Sequence, residues 1–258
     1  MKSISLYEEK NSTLNHLDSG CKMLYMVAAI LVPALIGNKW ANVAVIVLSI
    51  FLLTISKVLR KTIPVLSVSG IVILTIVIIQ GMFRAGNTTV VLQLGPAAFY
   101  KEGLLYSLGI ALNVFNILLA ICVLIFTTKP SDMVENFIEK GFSPRLGYVF
   151  ISIFQIIPQM METMNTITDA QRSRGMETEG SLLVRIKAFL PLISPVVMSS
   201  LVDTKERAIA LEVRGFNAKT KKTFLNERKV TTTDKIINLL LIAAVLASVA
   251  WRVKLWLG

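Results

Sequence analysis

Apolar residues in this chain come in blocks. Met23–Ile36 is a first run, closed by Gly37, Asn38 and Lys39, and Trp40–Ser56 is a second, stopped by Lys57, Arg60 and Lys61. Ile63–Met82 is a third, almost pure Val, Ile and Leu; Gly103–Thr128 is a fourth and Ile236–Trp251 a fifth. Each is close to the roughly 17 to 25 residues a tilted helix needs to cross hydrocarbon, the first only with Cys21 or Trp40 at its edge. Backbone polar groups in lipid must be satisfied within the protein, which leaves helices or closed barrels, and these runs lack the alternation of barrel strands. The pattern predicts an all-α, polytopic helical membrane protein with about five transmembrane helices.

Between the fourth and fifth runs the pattern turns amphipathic. "TTKPSDMVENFIEKGFSPRLG" predicts a short helix from Pro130, with Asp132 and Glu135 in its first turns and Gly141 as its stop. A longer helix is predicted from Pro144 to Arg174, bent at Pro158, with Ile157, Met160, Met161, Met164 and Ile167 spaced i, i+3, i+4 along one face. Another runs from Leu182 to Arg214, bent at Pro191 and Pro195, with Phe189, Ile193, Val197, Leu201, Thr204, Ala208 and Leu211 on one side. The chain thus divides into an N-terminal region of four spans (1–128), a region of amphipathic helices (129–235) and a C-terminal span (236–258).

Both long amphipathic helices end in Arg-Gly, at Arg174-Gly175 and Arg214-Gly215. A glycine just past a helix takes the left-handed conformation that satisfies the last carbonyls. An arginine in the last turn meets the negative end of the helix dipole and stays charged. Two such tips on successive helices predict planar, permanently positive forks suited to an acidic groove on another protein.

Composition agrees with lipid. The chain of 258 residues is 54% hydrophobic and 17% charged, with a mean hydropathy of +0.66, whereas a soluble domain carries roughly a quarter charged residues. The net charge of +11 gathers where topology places it. The loop with Lys57, Arg60 and Lys61 is assigned to the cytoplasm, as is the N-terminus; the Lys39 turn and the loop from Arg84 to Lys101 fall outside. Lys129 to Lys235 is then cytoplasmic, and Arg252 and Lys254 lie outside, outweighed by Arg228, Lys229 and Lys235. Basic residues on that face meet anionic lipid of the bilayer. No basic stripe with interleaved aromatics points to nucleic acid.

Little in the chain suits catalysis. His16 is its only histidine and reads as a solvated or capping residue, and Cys21 and Cys122 are too few and scattered for a disulfide framework or a metal site. No Gly-rich loop with Lys-Ser or Lys-Thr offers a nucleotide site, so no cofactor is expected. Gln80, Asn113 and Asn116 are the strongest polar candidates inside the runs, where no carboxylate or basic residue falls; interhelical hydrogen bonding is their expected role. Residues 1–20 are polar, so the first span is expected to target the chain without a cleaved signal. Met160, Met161, Met164 and Met176 cluster around the first long amphipathic helix, as core or as an adaptable surface shared by several partners.

The two tips and their contexts resemble the transmembrane coupling (T) component of energy-coupling factor transporters, related to the CbiQ and EcfT proteins. The hallmarks are two X-Arg-Gly motifs, here Ser173-Arg174-Gly175 and Val213-Arg214-Gly215, within "ITDAQRSRG" and "KERAIALEVRGF". X is most often alanine in that family, and Ser173 and Val213 depart from it. "STLNHLDSGCKML" is similar to the family's pre-span segment through Leu17, Asp18 and Lys22, with Ser19-Gly20 in place of Pro-Arg. "TTKPSDMVENFIEKGFSP" resembles its first coupling helix, and the likeness covers nearly the whole chain.

The resemblance implies an ATP-driven importer of a vitamin or transition-metal ion in which this chain is not an enzyme. It would sit in the prokaryotic plasma membrane between two ABC-type ATPase subunits and a small membrane substrate-capture (S) component. Arg174 and Arg214 would each enter a groove on one ATPase, and the apolar faces of the coupling helices would pack on the capture protein. Two other classes share part of the pattern. A classical ABC importer permease shares an echo in "DAQRSRG" followed by "FLP", but docks through one loop, whereas this chain carries a second Arg-Gly. A secondary transporter would need ionisable residues within the spans.

Overall fold

The computed structural model describes residues 14, 17–94, 97–175, 182–218 and 231–257, with the backbone alone of 94, 97, 182–191 and 257. His16, Met176, Arg228, Lys229 and the side chain of Phe189 lie outside the described residues. The chain is an all-α, polytopic membrane protein. In chain order its elements are α1 (Ser19–Ile36), α2 (Lys39–Ile55), α3 (Leu59–Phe83), β1 (Val90–Leu94), β2 (Ala97–Tyr100), α4 (Lys101–Thr127), α5 (Pro130–Glu139), α6 (Pro144–Ser173), α7 (Leu182–Val213) and α8 (Thr232–Leu257). By length and apolarity α1, α3, α4 and α8 are able to cross a membrane; α2 is apolar but shorter, at 17 residues.

The helices outrun the apolar runs. α1 begins at Ser19 and includes Lys22, α3 includes Arg60 and Lys61, and α8 includes Asp234, Lys235, Arg252 and Lys254. Helical hydrogen bonding continues past the point where hydropathy stops, because water and caps satisfy helix ends as well as lipid tolerates their middles. Residues 84–101, expected as a loop, hold the antiparallel β1–β2 pair with a bulge between Val90 and Leu92. "VVLQL" and "AAFY" are rich enough in β-branched and aromatic residues for short strands and too short to register among the spans.

The described residues fall into two compact units. The first holds α1–α4, the hairpin, α8 and the start of α5. Its core joins Tyr25 and Ala29 of α1, Leu53 of α2, and Leu119, Ala120, Val123 and Phe126 of α4. α4 packs on α1, α2 and α3, and α8 packs on α1. Polar side chains fix the register. Asn116 donates from Nδ2 to the Ala29 carbonyl at 2.7 Å, and the Tyr25 and Ser49 hydroxyls share a hydrogen bond of 2.8 Å. Asn116 thus takes the interhelical role expected for it. α3 and α4 meet closely where Gly103 faces Gln80: a Cβ on Gly103 would sit 2.2 Å from the Gln80 carbonyl oxygen.

Capping residues explain the ends. Asp18 accepts from the Gly20 N–H at the start of α1, and Asn38 accepts from the Trp40 N–H at the start of α2. At the start of α8 the Asp234 carboxylate reaches back to the Thr231 N–H at 2.9 Å, the return half of a capping box. Lys22, 5% exposed, donates to the Thr127 carbonyl at the end of α4. Ser19 Oγ donates to the Asp132 carbonyl in the first turn of α5. Arg252 of α8 lies beside Gly37, so α8 ends where α1 ends.

The second unit holds the rest of α5 with α6 and α7. α5 starts at Pro130 and stops before Gly141, whose φ is +103°, as the sequence predicts. There the Gly141 N–H bonds the Ile138 carbonyl and the Phe142 N–H the Phe137 carbonyl, the double closure of a Schellman motif. Gly147 in the first turn of α6 lies against Ile138 and Val134 of α5.

Candidate coupling site at two helix tips

Each long helix of the second unit ends at an arginine followed by a left-handed glycine. α6 runs to Ser173, Arg174 is its cap residue, and Gly175 has φ +87°. The Gly175 N–H bonds the Arg172 carbonyl at 2.9 Å, and the Ser173 hydroxyl turns back to the Asp169 carbonyl at 3.1 Å. α7 runs to Val213, and Gly215 has φ +71°. Its N–H bonds the Glu212 carbonyl and the Phe216 N–H bonds the Leu211 carbonyl, both at 2.9 Å. A Cβ on either glycine would meet nothing within 4 Å, so backbone conformation, not space, calls for glycine.

The arginines are presented to the outside. Ser173, Arg174, Gly175, Arg214 and Gly215 are exposed, and Val213 is 83% exposed. Among the described residues neither Arg174 nor Arg214 spends its guanidinium on an ion pair or hydrogen bond. The nearby Arg172–Asp169 contact, at 4.0 Å between well-exposed groups, is a surface pair worth little.

Contacts between α6 and α7 decide where the tips stand. The Gln159 amide of α6 bridges two charges of α7: Nε2 donates to the Asp203 carboxylate at 3.1 Å, and Oε1 accepts from Arg207 at 2.6 Å. Nearer the start of α6, the Tyr148 ring packs on Phe216, just past the second tip, with centroids 5.5 Å apart. Residue 148 therefore lies beside 216 and residue 159 beside 203 and 207, so the two helices cross antiparallel. Their C-terminal tips point to opposite ends of the pair, separated along the axes by on the order of 35 Å at 1.5 Å per residue.

The faces of these helices are divided more finely than their periodicity suggests. Of the α6 face, Met160 turns to α7 with Ile156, Gln159 and Thr163, opposite Ser200, Asp203, Thr204 and Arg207. Ile157 and Met161 are exposed, and Met164 and Ile167 are half-buried. On α7, Leu192 and Val196 are buried while Ile193, Val197 and Leu201 face outward. α7 is apolar on more than one side, so its period is legible but its phase is not. The Gln159 bridge also escapes sequence reasoning, since it joins residues on different helices. Phe216 left a signal: a large apolar residue directly after a capping glycine is the usual hydrophobic partner of a Schellman motif.

One unit of the chain holds a helix pair with a capped, exposed arginine at each end, and the other holds four helices long and apolar enough to cross a membrane, which defines the chain as a polytopic helical membrane protein. Comparison with known proteins agrees. Residues 10–225 match the CbiQ family, described as cobalt transport protein. The Staphylococcus aureus energy-coupling factor transporter transmembrane protein EcfT is 25% identical over 90% of each chain. The proteins of the same name from Lactococcus lactis subsp. cremoris and Brevibacillus brevis are 26% and 27% identical, over 95% and 97% of this chain and 96% and 98% of theirs. The chain belongs to the CbiQ/EcfT family of transmembrane components of energy-coupling factor transporters.

Proposed function

We propose that this chain is the coupling subunit of an ATP-driven importer, placed between two ABC-type ATPases and a small membrane protein that captures the solute, a vitamin or a transition-metal ion. Arg174 and Arg214 each dock in an acidic groove of one ATPase, held out by Gly175 and Gly215. ATP is hydrolysed by the partners and not by this chain. The region 129–235 lies in the cytoplasm of a prokaryotic cell and carries the ATPases' closing motion to the spans of 1–128 and 236–258. The outward apolar residues of α6, among them Ile157 and Met161, pack on the capture protein; Met160, Met164 and Ile167 support that surface.

One observation carries this reading: the two free guanidinium groups stand at opposite ends of an antiparallel helix pair, which suits one chain contacting two similar subunits at once. Planar forks fit carboxylates in pairs, so lysine is a poor substitute. Truncating one arm of such a buried contact costs about 2 to 5 kcal/mol. The test is co-purification with the ATPases and solute uptake for Arg174→Ala, Arg214→Ala and the double variant. Each single variant is expected to weaken assembly while the other tip still holds. The double variant loses it, because the gain from two tethered contacts is one of effective concentration. Solute capture by the partner membrane protein alone stays unchanged. A double variant that assembles and transports normally reduces both pairs to ordinary helix caps.

A further inference from the structure

At the end of the spans remote from the α4–α5 junction, the start of α2, the end of α3 and the start of α4 enclose a cleft of about 510 Å³. Lys39, Arg84 and Glu102 are its charged lining, and Leu105, Tyr106, Gly109, Ile110 and Asn113 continue it along α4. From Glu102 to Asn113 it descends roughly 16 Å at 1.5 Å per residue, out of the charged boundary and into the apolar zone.

The charges of the lining do not fully cancel, with two cations to one carboxylate. Glu102 is one negative charge against two positive ones, and its carboxylate is turned to the hairpin side, where it accepts the backbone N–H and the hydroxyl of both Thr88 and Thr89. Lys39 lies across Gly109, where no side chain obstructs it, and gives one of its three N–H groups to the Leu105 carbonyl at 2.7 Å. Arg84 gives an N–H to the Glu102 carbonyl and lays its guanidinium 3.8 Å from the Tyr106 ring centroid. Backbone and ring thus fix both cations. Among the described residues neither is in an ion pair; both side chains line the cleft, and each has N–H groups beyond the one it gives to a carbonyl.

We infer that this cleft is a binding site for an anionic phospholipid. Its phosphate is held by Lys39 and Arg84 and its glycerol and acyl chain lie along the side chains of Leu105 and Ile110. A membrane protein meets such a molecule as a matter of course, and the cleft matches it at both ends: two cations against one carboxylate where the head group lies, apolar wall where the chain lies. A zwitterionic lipid fits less well, because the three charged side chains of the lining sum to a net positive charge, which a net-neutral head group does not balance. A soluble phosphate would use only the charged lining. The inference stands on the membrane unit alone and is independent of the coupling proposal.

The experiment uses the full chain, purified in mild detergent, stripped of lipid and incubated with equal amounts of phosphatidylglycerol and phosphatidylethanolamine. Bound lipid is read by native mass spectrometry. Phosphatidylglycerol is expected to dominate, and Lys39→Gln and Arg84→Gln each to lower its retention about fivefold, as removal of one interfacial cation does. The double variant loses the preference, while Lys101→Gln, nearby but not lining the cleft, keeps it. Lys39 is exposed and Arg84 half-buried, so neither substitution touches the core. Excess inorganic phosphate is expected to leave the bound lipid in place. Equal retention of the two lipids by the unaltered chain overturns the assignment, as does a double variant that retains phosphatidylglycerol normally. Full displacement by inorganic phosphate makes this a soluble-anion site and overturns it too.

Discussion

The ammonium of Lys22 lies 2.8 Å from the carbonyl oxygen of Thr127, so a buried cation in the first turn of α1 closes the C-terminus of α4. The pair brings a positive charge to the negative end of a helix dipole at the point where the chain leaves the last of the four N-terminal helices for α5. Ser19, three residues earlier, holds the Asp132 carbonyl of α5 at 3.0 Å, so α1 grips both sides of that junction.

Lys22→Met is expected to destabilise the membrane unit by about 1.5 to 3 kcal/mol, the worth of a hydrogen bond to a charged group. Lys22→Arg, which keeps the charge with a different reach, should fall between. Thermal unfolding in detergent, followed by circular dichroism, measures both. A Tm for Lys22→Met equal to that of the unaltered chain removes Lys22 from the fold's supports.

Gly103→Ala is expected to force α3 and α4 apart, because its Cβ would stand 2.2 Å from a backbone oxygen that cannot rotate away. Overpacking of this kind costs about 1 to 3 kcal/mol. Gly70, in the middle of α3, has nothing within 4 Å of the same position. Gly70→Ala should therefore be neutral or stabilise by about 0.5 to 1 kcal/mol through helix propensity. The same unfolding assay compares the two, and an equal response would contradict the close approach at Gly103.

At the second tip, Gly215→Val should cost more than Gly215→Asn, since a β-branched residue resists the left-handed region that asparagine tolerates. The difference is local. Hydrogen exchange is expected to quicken at Gly215 and Phe216, whose N–H groups close the end of α7, with little change in global unfolding. Gly175→Val should do the same at the end of α6. Uniform exchange across the three variants would mean that the caps do not hold the tips.

Gln159→Leu removes the amide shared by Asp203 and Arg207. Both partners lie near the surface, so the cost is modest, about 0.5 to 1.5 kcal/mol. A double-mutant cycle with Arg207→Met isolates the coupling across the helix pair. A coupling energy of zero would leave the Gln159–Asp203 bond, apolar contacts and the tilted Tyr148–Phe216 ring contact to hold α6 against α7.

Much of this protein was legible from its sequence. The apolar runs fixed where the spanning helices lie, because hydrocarbon admits no other element for an uninterrupted stretch of that length. Pro130, Gly141, Pro144, Gly175 and Gly215 marked the helix ends, because capping is a local matter of φ and missing partners that a few neighbouring residues settle. The Arg-Gly tips were visible for the same reason. The tertiary structure alone decided which side of each helix faces inward: Leu192 and Val196 of α7 are buried rather than Ile193 and Val197. It alone brought Lys22 to Thr127, Gln159 to Asp203 and Arg207, and Lys39 to the cleft that Arg84 shares. These pairings join residues far apart in the chain, and their geometry follows from how the helices pack, which periodicity along a single helix does not encode.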